Sequence, residues 1–187
     1  ILQYCGNQND KEVGVLVFGK KDDVYQTYKK LNNKFAKYQQ ETGASSPYKV
    51  QAYISDKKYM LHRAENLVFD NPPTLTVINA QSAKGLEFDT VFVLNFGSIH
   101  FPPGNEIPAY KKMYVTFSRP RDALFIYLRA NFEEGFSRAA RLLPSQNNDL
   151  SDFMSINDEF TSETLKSMLK RVNFLTSATD YKRIECN

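Results

Sequence analysis

Five short runs of mostly apolar and β-branched residues constrain the fold of this 187-residue chain more than any other feature. Runs such as Thr74–Ile78 and Thr90–Leu94 are typical of strands that are covered on both faces of a sheet. The other three runs are Val13–Phe18, Tyr48–Ile54 and Ala123–Leu128. Because these strand patterns alternate with helical ones, the sequence predicts a doubly wound α/β fold.

Two helical patterns lie between the predicted strands. The first covers Val24–Gln40, and Asp22 and Asp23 stand where they favour a helix N-terminus. Its apolar face repeats every three or four residues and consists of Val24, Tyr28, Leu31, Phe35 and Tyr38. The second helix ends at about Ser118, and the residues that mark its apolar face are Ile107, Tyr110, Tyr114 and Phe117.

The strand pattern stops near residue 130. Beyond Asn131 only helical and irregular patterns remain, so we predict a main domain over residues 10–130 and a helical C-terminal extension over residues 131–187. The chain begins at Ile1 rather than Met, which indicates a fragment or a processed chain.

Bulk properties narrow the class of protein only slightly. The net charge of +3 permits contact with nucleic acid without requiring it. Cys5 and Cys186 have no Cys or His neighbour at metal-ligand spacing, so we predict free thiols and no metal site. No apolar run is long enough to cross a bilayer, and we expect a cytoplasmic protein without a membrane partner.

One apparent phosphate-binding motif is better explained as a strand. Gly14, Gly19 and Lys20 fit the start of the P-loop pattern Gly-x4-Gly-Lys, but Lys21 stands where a Mg²⁺-binding Ser or Thr is required. The intervening residues are all apolar and belong in a strand rather than in a flexible loop. We therefore predict a strand followed by a turn. Without a P-loop, the chain lacks the main motif for binding ATP on its own.

The segment Asn79–Asp89 combines residue types that suit a nucleotide. It follows a strand, and open α/β sheets bind ligands at the carboxyl ends of strands. Gly85 allows a close approach of the backbone, and Lys84 offers a positive charge to phosphate. Glu87 offers a carboxylate that can accept hydrogen bonds from vicinal sugar hydroxyls.

Two segments resemble motifs of superfamily 1 helicases of the UvrD and Rep type. Residues Ser82–Phe88 are similar to motif V of these helicases throughout, and Tyr114–Leu124 is similar to motif VI. The resemblance covers roughly residues 10–130. It implies the second RecA-like domain, a P-loop NTPase-type parallel sheet with helices on both faces.

The resemblance also implies roles at a nucleotide. Arg119 would be the motif VI arginine that reaches the γ-phosphate as the catalytic residue, and Glu87 would bind the ribose. Gly85 would lie against the nucleotide, while Lys84 would lie near the phosphates or else structure its loop. For Arg121 we expect an ion pair within the domain.

The start of motif V is expected to contact single-stranded DNA, through Asn79, Gln81 and Ser82. At the positions of Asn79 and Gln81 the family usually has Thr and His. The residues of this chain keep the capacity to form hydrogen bonds at both positions. The short interval between the first helix and motif V leaves no room for the large subdomain that UvrD and Rep insert there.

The resemblance implies ATP with Mg²⁺ as the cofactor of the intact protein. The site would be shared with an N-terminal RecA-like domain of the same parent protein, and the isolated chain is expected to be inactive because it lacks a P-loop. The alternative is a non-catalytic α/β module that binds nucleic acid or protein through a basic helix face, formed by Lys29, Lys30, Lys34 and Lys37. No arrangement of residues supports another class of enzyme.

Overall fold

A sheet of five parallel strands forms the centre of the computed structural model, as the apolar runs predict. The strands are β1 (Glu12–Val17), β2 (Lys49–Tyr53), β3 (Thr74–Asn79), β4 (Phe88–Leu94) and β5 (Pro120–Ile126). Their order across the sheet is β2-β3-β1-β4-β5. The central strand β1 is therefore bonded on both sides, and all six of its residues are buried.

The structure describes residues 1–5, 12–43, 48–69, 73–99, 101, 104–127 and 143. All of these described residues belong to one compact unit, which covers residues 1–143. Except for Leu143, the predicted C-terminal extension lies outside the described residues. Within the described ranges, no helix has both the length and the apolar character needed to cross a membrane.

Helices lie on both faces of the sheet. The helices are α1 (Leu2–Cys5), α2 (Lys21–Thr42) and α3 (Ile107–Phe117). The connection from β1 to β2 crosses the sheet in one direction, and the connection from β3 to β4 crosses it in the other. Because such crossovers are right-handed, α2 packs on one face, while α3 and the 3₁₀ turn Ala80–Ala83 pack on the opposite face.

Helix α2 confirms its predicted apolar face in part, because Val24 and Phe35 are buried and Tyr28 and Leu31 are half-buried, whereas Tyr38 is 45% exposed. Asp23 accepts a hydrogen bond from the Lys20 backbone N–H at 2.7 Å, which satisfies a donor at the helix start. Gly43 ends the helix in the left-handed conformation, with a φ of 67°. Val24 and Phe35 are buried against the sheet, and the four lysines of the predicted basic face are exposed.

Helix α3 shows that the predicted apolar face of the second helix is mostly wrong. Ile107 and Tyr114 are about 60% exposed, and Tyr110 is exposed as well. The buried side chains are instead Ala109, Met113 and Thr116. The helix packs closely on the turn Ala80–Ala83, whose own alanines are buried, and it turns the face that carries Ala109 and Met113 inward. Of the predicted face, Phe117 alone packs against the core, where its ring centroid lies 5.5 Å from that of Phe96.

Strand β5 begins earlier than its apolar run predicts. It starts at Pro120, three residues before that run, since proline is tolerated at the first position of a strand. Between β2 and β3 the chain forms two 3₁₀ turns, Lys57–His62 and Ala64–Asn66. Within the first turn, His62 is half-buried against Tyr28, with ring centroids 4.6 Å apart.

Position 14, in the middle of β1, is a glycine because the ring of Phe88 fills the space that a side chain there would occupy. A Cβ atom at Gly14 would lie 2.6 Å from Phe88 Cδ2 and 2.8 Å from Phe88 Cγ. Phe88 itself is fully buried at the start of β4. The first glycine of the apparent P-loop is therefore a packing residue in a strand.

We expect Gly14→Ala to lower the free energy of unfolding of the chain by about 1–3 kcal/mol, because the new methyl group overpacks the core. Urea denaturation followed by circular dichroism measures this change. Phe88→Leu makes room for the methyl group, so the loss caused by Gly14→Ala should be smaller in that background. Equal losses in both backgrounds would contradict the packing explanation.

Candidate functional site

The connection between β3 and β4 places the predicted site residues at two opposite edges of the sheet. Asn79 ends β3 at the carboxyl edge, and Phe88 begins β4 at the amino edge. A strand rises about 3.3 Å per residue, so the two ends of the connection, Asn79 and Phe88, lie about 20 Å apart along the strand direction. The expectation that the whole segment lies at the carboxyl edge is therefore wrong, because parallel strands require the chain to return before β4 begins.

A cleft of about 220 Å³ lies at the carboxyl edge. Its lining residues are Gly19, Lys20, Lys21, Val24, Tyr53, Ile54, Ser55, Asn79, Gln81 and Ser82. The chain leaves the adjacent strands β1 and β3 toward opposite faces at this point, and open α/β sheets bind ligands at such switch points. The structure thus brings together the three residues predicted to contact nucleic acid.

Asn79 uses both ends of its amide inside the domain. Its Oδ1 atom accepts a hydrogen bond from the Gln81 backbone N–H at 2.9 Å, and its Nδ2 atom donates to the Gly19 carbonyl oxygen at 3.0 Å. Asn79 therefore joins the carboxyl ends of β1 and β3 and shapes the cleft. Gln81 is exposed and Ser82 is half-buried, so these two side chains form the accessible part of the group.

The segment that follows β2 forms the outer wall of the cleft, and hydrogen bonds and ion pairs join this segment to the start of α2. The Lys21 Nζ atom donates to the Ser55 carbonyl oxygen at 2.9 Å and lies 3.5 Å from the Asp56 carboxylate. The Tyr59 hydroxyl donates a hydrogen bond to Asp22, and the Lys58 Nζ atom lies 3.5 Å from the same carboxylate. The hydrogen bond from Tyr59, aided by the charge of Lys58, lowers the pKa of Asp22 below its ordinary value of 3.8.

We expect Tyr59→Phe to raise the pKa of Asp22 toward 3.8, because the hydroxyl that favours the carboxylate is lost. Carboxyl carbon NMR titration of the chain measures this shift. Asp56 is the internal control, since its pKa is lowered first by the Lys58 backbone N–H and should not change. The depressed pKa of Asp22 stabilises the fold above pH 3.8, and that contribution is lost as the pH falls through the folded-state pKa.

Arg119 lies at the amino edge, where its guanidinium group joins the end of α3 to the segment Asn79–Asp89. The side chain is half-buried. Its Nε atom donates to the Val115 carbonyl oxygen at 2.7 Å, its Nη1 atom to the Leu86 carbonyl oxygen at 3.0 Å, and its Nη2 atom to Ser118 Oγ at 2.8 Å. The Phe88 backbone N–H donates to the Arg119 carbonyl oxygen at 3.0 Å. Arg119 thus contacts the predicted nucleotide segment from within the same domain.

The loop before Glu87 is open to solvent. Gly85 has a φ of 84°, a backbone conformation that favours glycine, and no atom lies within 4 Å of the position that a Cβ would take. Lys84 is exposed and makes no hydrogen bond or ion pair with another described residue. The loop therefore presents free backbone and a free positive charge beside Arg119.

Arg121 is surrounded by three carboxylates, which confirms the ion pairing expected of it within the domain. It contacts Asp89 at 3.1 Å, Glu87 at 3.4 Å and Glu12 at 3.8 Å. The roles of Glu12 and Asp89 were missed, and the acidic residue at the start of two apolar runs is the signal that could have found them. Among the described residues, no group of three His, Cys, Asp or Glu side chains is arranged to hold a metal ion.

Comparison with protein families identifies the domain. Residues 19–131, more than half of the chain, match the model of the UvrD-like helicase C-terminal domain. The chain belongs to this family. The match in this UvrD-like domain extends from the turn before α2 to beyond β5. It includes the cleft and the amino-edge group, by which we mean Lys84, Gly85, Glu87 and Arg119. The search of curated proteins found no match to the chain.

Membership of the family fixes the general role and the fold. The five-stranded parallel sheet with helices on both faces is the RecA-like arrangement that the two motifs imply. The UvrD-like domain is thus a helicase domain, and helicases of this kind generally use ATP and Mg²⁺.

Proposed function

We propose that the chain is the second RecA-like domain of an ATP-dependent DNA helicase or translocase. It would complete an ATP site that it shares with an N-terminal P-loop domain of the same parent protein, and its cleft would bind single-stranded DNA. The observation that carries this proposal is the hydrogen bond from Arg119 to the Leu86 carbonyl oxygen, which holds motifs V and VI together at one edge of the sheet.

The amino-edge group has the chemistry to receive a nucleotide. The Glu87 side chain is 62% exposed and can accept hydrogen bonds from ribose hydroxyls. The open backbone at Gly85 can lie against the nucleotide, and the free charge of Lys84 suits its phosphates. The P-loop domain would supply most of the phosphate contacts, and the 187-residue chain alone would not hydrolyse ATP.

Arg119 can exchange its present partners for a phosphate. Its three acceptors are neutral oxygen atoms, whereas a γ-phosphate offers charged oxygen atoms that match the planar guanidinium fork. Since a guanidinium attracts an anionic phosphate oxygen more strongly than a neutral carbonyl or hydroxyl oxygen, the exchange favours the phosphate. Arg119 would then stabilise the charge that develops during phosphoryl transfer.

We expect Arg119→Ala to reduce DNA-stimulated ATP hydrolysis of the full-length protein by about 10³-fold or more, with ATP affinity largely retained. Steady-state hydrolysis and equilibrium binding measure the two effects. Arg119→Lys keeps the charge without the fork and should also be strongly impaired. Arg63→Ala is the matched control, because Arg63 has only a weak ion pair with Glu65 at 3.9 Å. Turnover near that of the wild type in Arg119→Ala would contradict the assignment.

The cleft at the carboxyl edge suits the backbone of single-stranded DNA. Lys20 is exposed at its rim, and Gln81 and Ser82 offer an amide and a hydroxyl for hydrogen bonds to phosphate oxygens. The start of α2 contributes the positive end of a 22-residue helix. The basic face of α2 is the alternative DNA surface, since all four of its lysines are exposed.

We expect the double variant Lys20→Ala/Gln81→Ala to bind single-stranded DNA more weakly than the wild-type chain. Fluorescence anisotropy with a labelled oligothymidine over a series of KCl concentrations measures the affinity. Loss of one phosphate contact at Lys20 should make the salt slope shallower by about 0.7. The control, Lys30→Ala/Lys34→Ala on the basic face of α2, should bind as the wild type does. If only the control loses affinity, the DNA lies on that face and the non-catalytic module is favoured.

A further inference from the structure

We propose that Arg121 is a positioning residue that fixes the Glu87 carboxylate for the vicinal hydroxyls of a ribonucleotide. Arg121 would thereby let the domain distinguish a ribose from a deoxyribose. The inference rests on the proposed function, because it assumes that a nucleotide sugar reaches Glu87.

Arg121 is anchored at one end of its guanidinium group. Its Nη1 atom lies 3.1 Å from Asp89 Oδ1 and 3.8 Å from Glu12 Oε2. The side chains of Asp89 and Glu12 are only 19% and 8% exposed. The Glu12 backbone N–H also donates to Asp89 Oδ2 at 3.0 Å, which fixes the Asp89 carboxylate to the start of β1.

The opposite side of the guanidinium group holds Glu87. The Arg121 Nε atom donates to Glu87 Oε2 at 3.4 Å, while the Glu87 side chain is 62% exposed. Among the described residues, Arg121 is the partner of Glu87, and the contact uses Oε2 alone. The Oε1 atom therefore remains able to accept hydrogen bonds from a ligand.

The three sheet strands that carry this cluster give it a rigid base. Glu12 begins β1, Asp89 is the second residue of β4, and Arg121 is the second residue of β5. β4 pairs with both of the other strands, so the anchoring residues lie at the starts of adjacent strands. Sites built on strands hold their geometry better than sites built on loops. Glu87 itself precedes β4, and Arg121 restrains its side chain from that base.

The charges of the cluster select the chemical group that it can bind. Three carboxylates around one guanidinium group leave a net negative charge, which repels phosphate. A neutral group with two adjacent hydrogen-bond donors suits the free Glu87 oxygen atom, and the vicinal hydroxyls of ribose are such a group. Without Arg121, repulsion from Asp89 and Glu12 would turn the Glu87 carboxylate away.

The test compares the binding of ADP, 2′-deoxy-ADP and 3′-deoxy-ADP by isothermal titration calorimetry, with full-length protein. Wild-type protein should bind ADP about tenfold more tightly than at least one deoxy analogue, since a hydrogen bond to a charged group is lost. In Arg121→Ala the ratio of the affinity for ADP to that for the deoxy analogue should fall to about one. The same fall is expected in Glu87→Ala, and combining the two substitutions should not lower the ratio further. Arg63→Ala should keep the wild-type ratio.

The variant Arg121→Lys tests whether the loss of sugar discrimination in Arg121→Ala results from a folding defect. It keeps a positive charge beside Asp89 and Glu12, so the fold should be retained, but a lysine cannot contact both sides of the cluster with a planar fork. We expect its ratio to fall at least threefold while its melting temperature stays near that of the wild type. A purely structural role for Arg121 would leave the ratio unchanged in this variant.

The outcomes separate this inference from the proposed function. If Glu87→Ala loses the ratio while Arg121→Ala and Arg121→Lys keep it, Glu87 binds the sugar without help and the inference is overturned alone. If every variant keeps the wild-type ratio, the sugar does not reach Glu87, which also overturns the inference. If the wild-type protein neither binds ADP nor hydrolyses ATP with DNA, the proposed function fails and the inference fails with it.

Discussion

The pairing of β1 with both β3 and β4 is the constraint on which the rest of the domain depends. β1 is buried on both faces and bonded on both sides, and its two neighbours, β3 and β4, both come from later parts of the chain. The chain therefore crosses over β1 between β3 and β4, and it leaves β1 and β3 toward opposite faces. The cleft at the carboxyl edge and the Arg119 group at the amino edge both result from this one crossing.

The sequence was informative where a single physical effect dominates a segment. Apolar β-branched runs predicted all five strands, because the interior of a parallel sheet accepts little else. The face of α2 was predicted in part, since Val24 and Phe35 are buried against the sheet but Tyr38, near the end of the helix, is exposed. The face of α3 was predicted mostly wrongly, because the helix turns Ala109 and Met113 toward the buried turn Ala80–Ala83 and leaves its bulkier tyrosines exposed.

Individual residues of the candidate site could be proposed from the sequence, but their arrangement could not be predicted. The residues of the segment Asn79–Asp89 are contiguous in sequence, and nothing local shows that Asn79 and Glu87 lie about 20 Å apart along the strands. That separation depends on the pairing of β3 and β4 with β1, which is a long-range property. The internal hydrogen bonds of Asn79 and Arg119 are equally hidden, because their acceptors are backbone carbonyl groups whose positions only the fold sets.

The segment between β3 and β4 has little spare length. Its eight residues cover about 20 Å, and four of them form a 3₁₀ turn that advances only about 2 Å per residue. A nearly taut connection transmits a pull from one end to the other, whereas a slack loop would absorb it. Release of the Leu86 carbonyl group by Arg119 at one edge would therefore move Gln81 and Ser82 at the other. The strand crossing would thereby couple the proposed nucleotide site mechanically to the proposed DNA cleft.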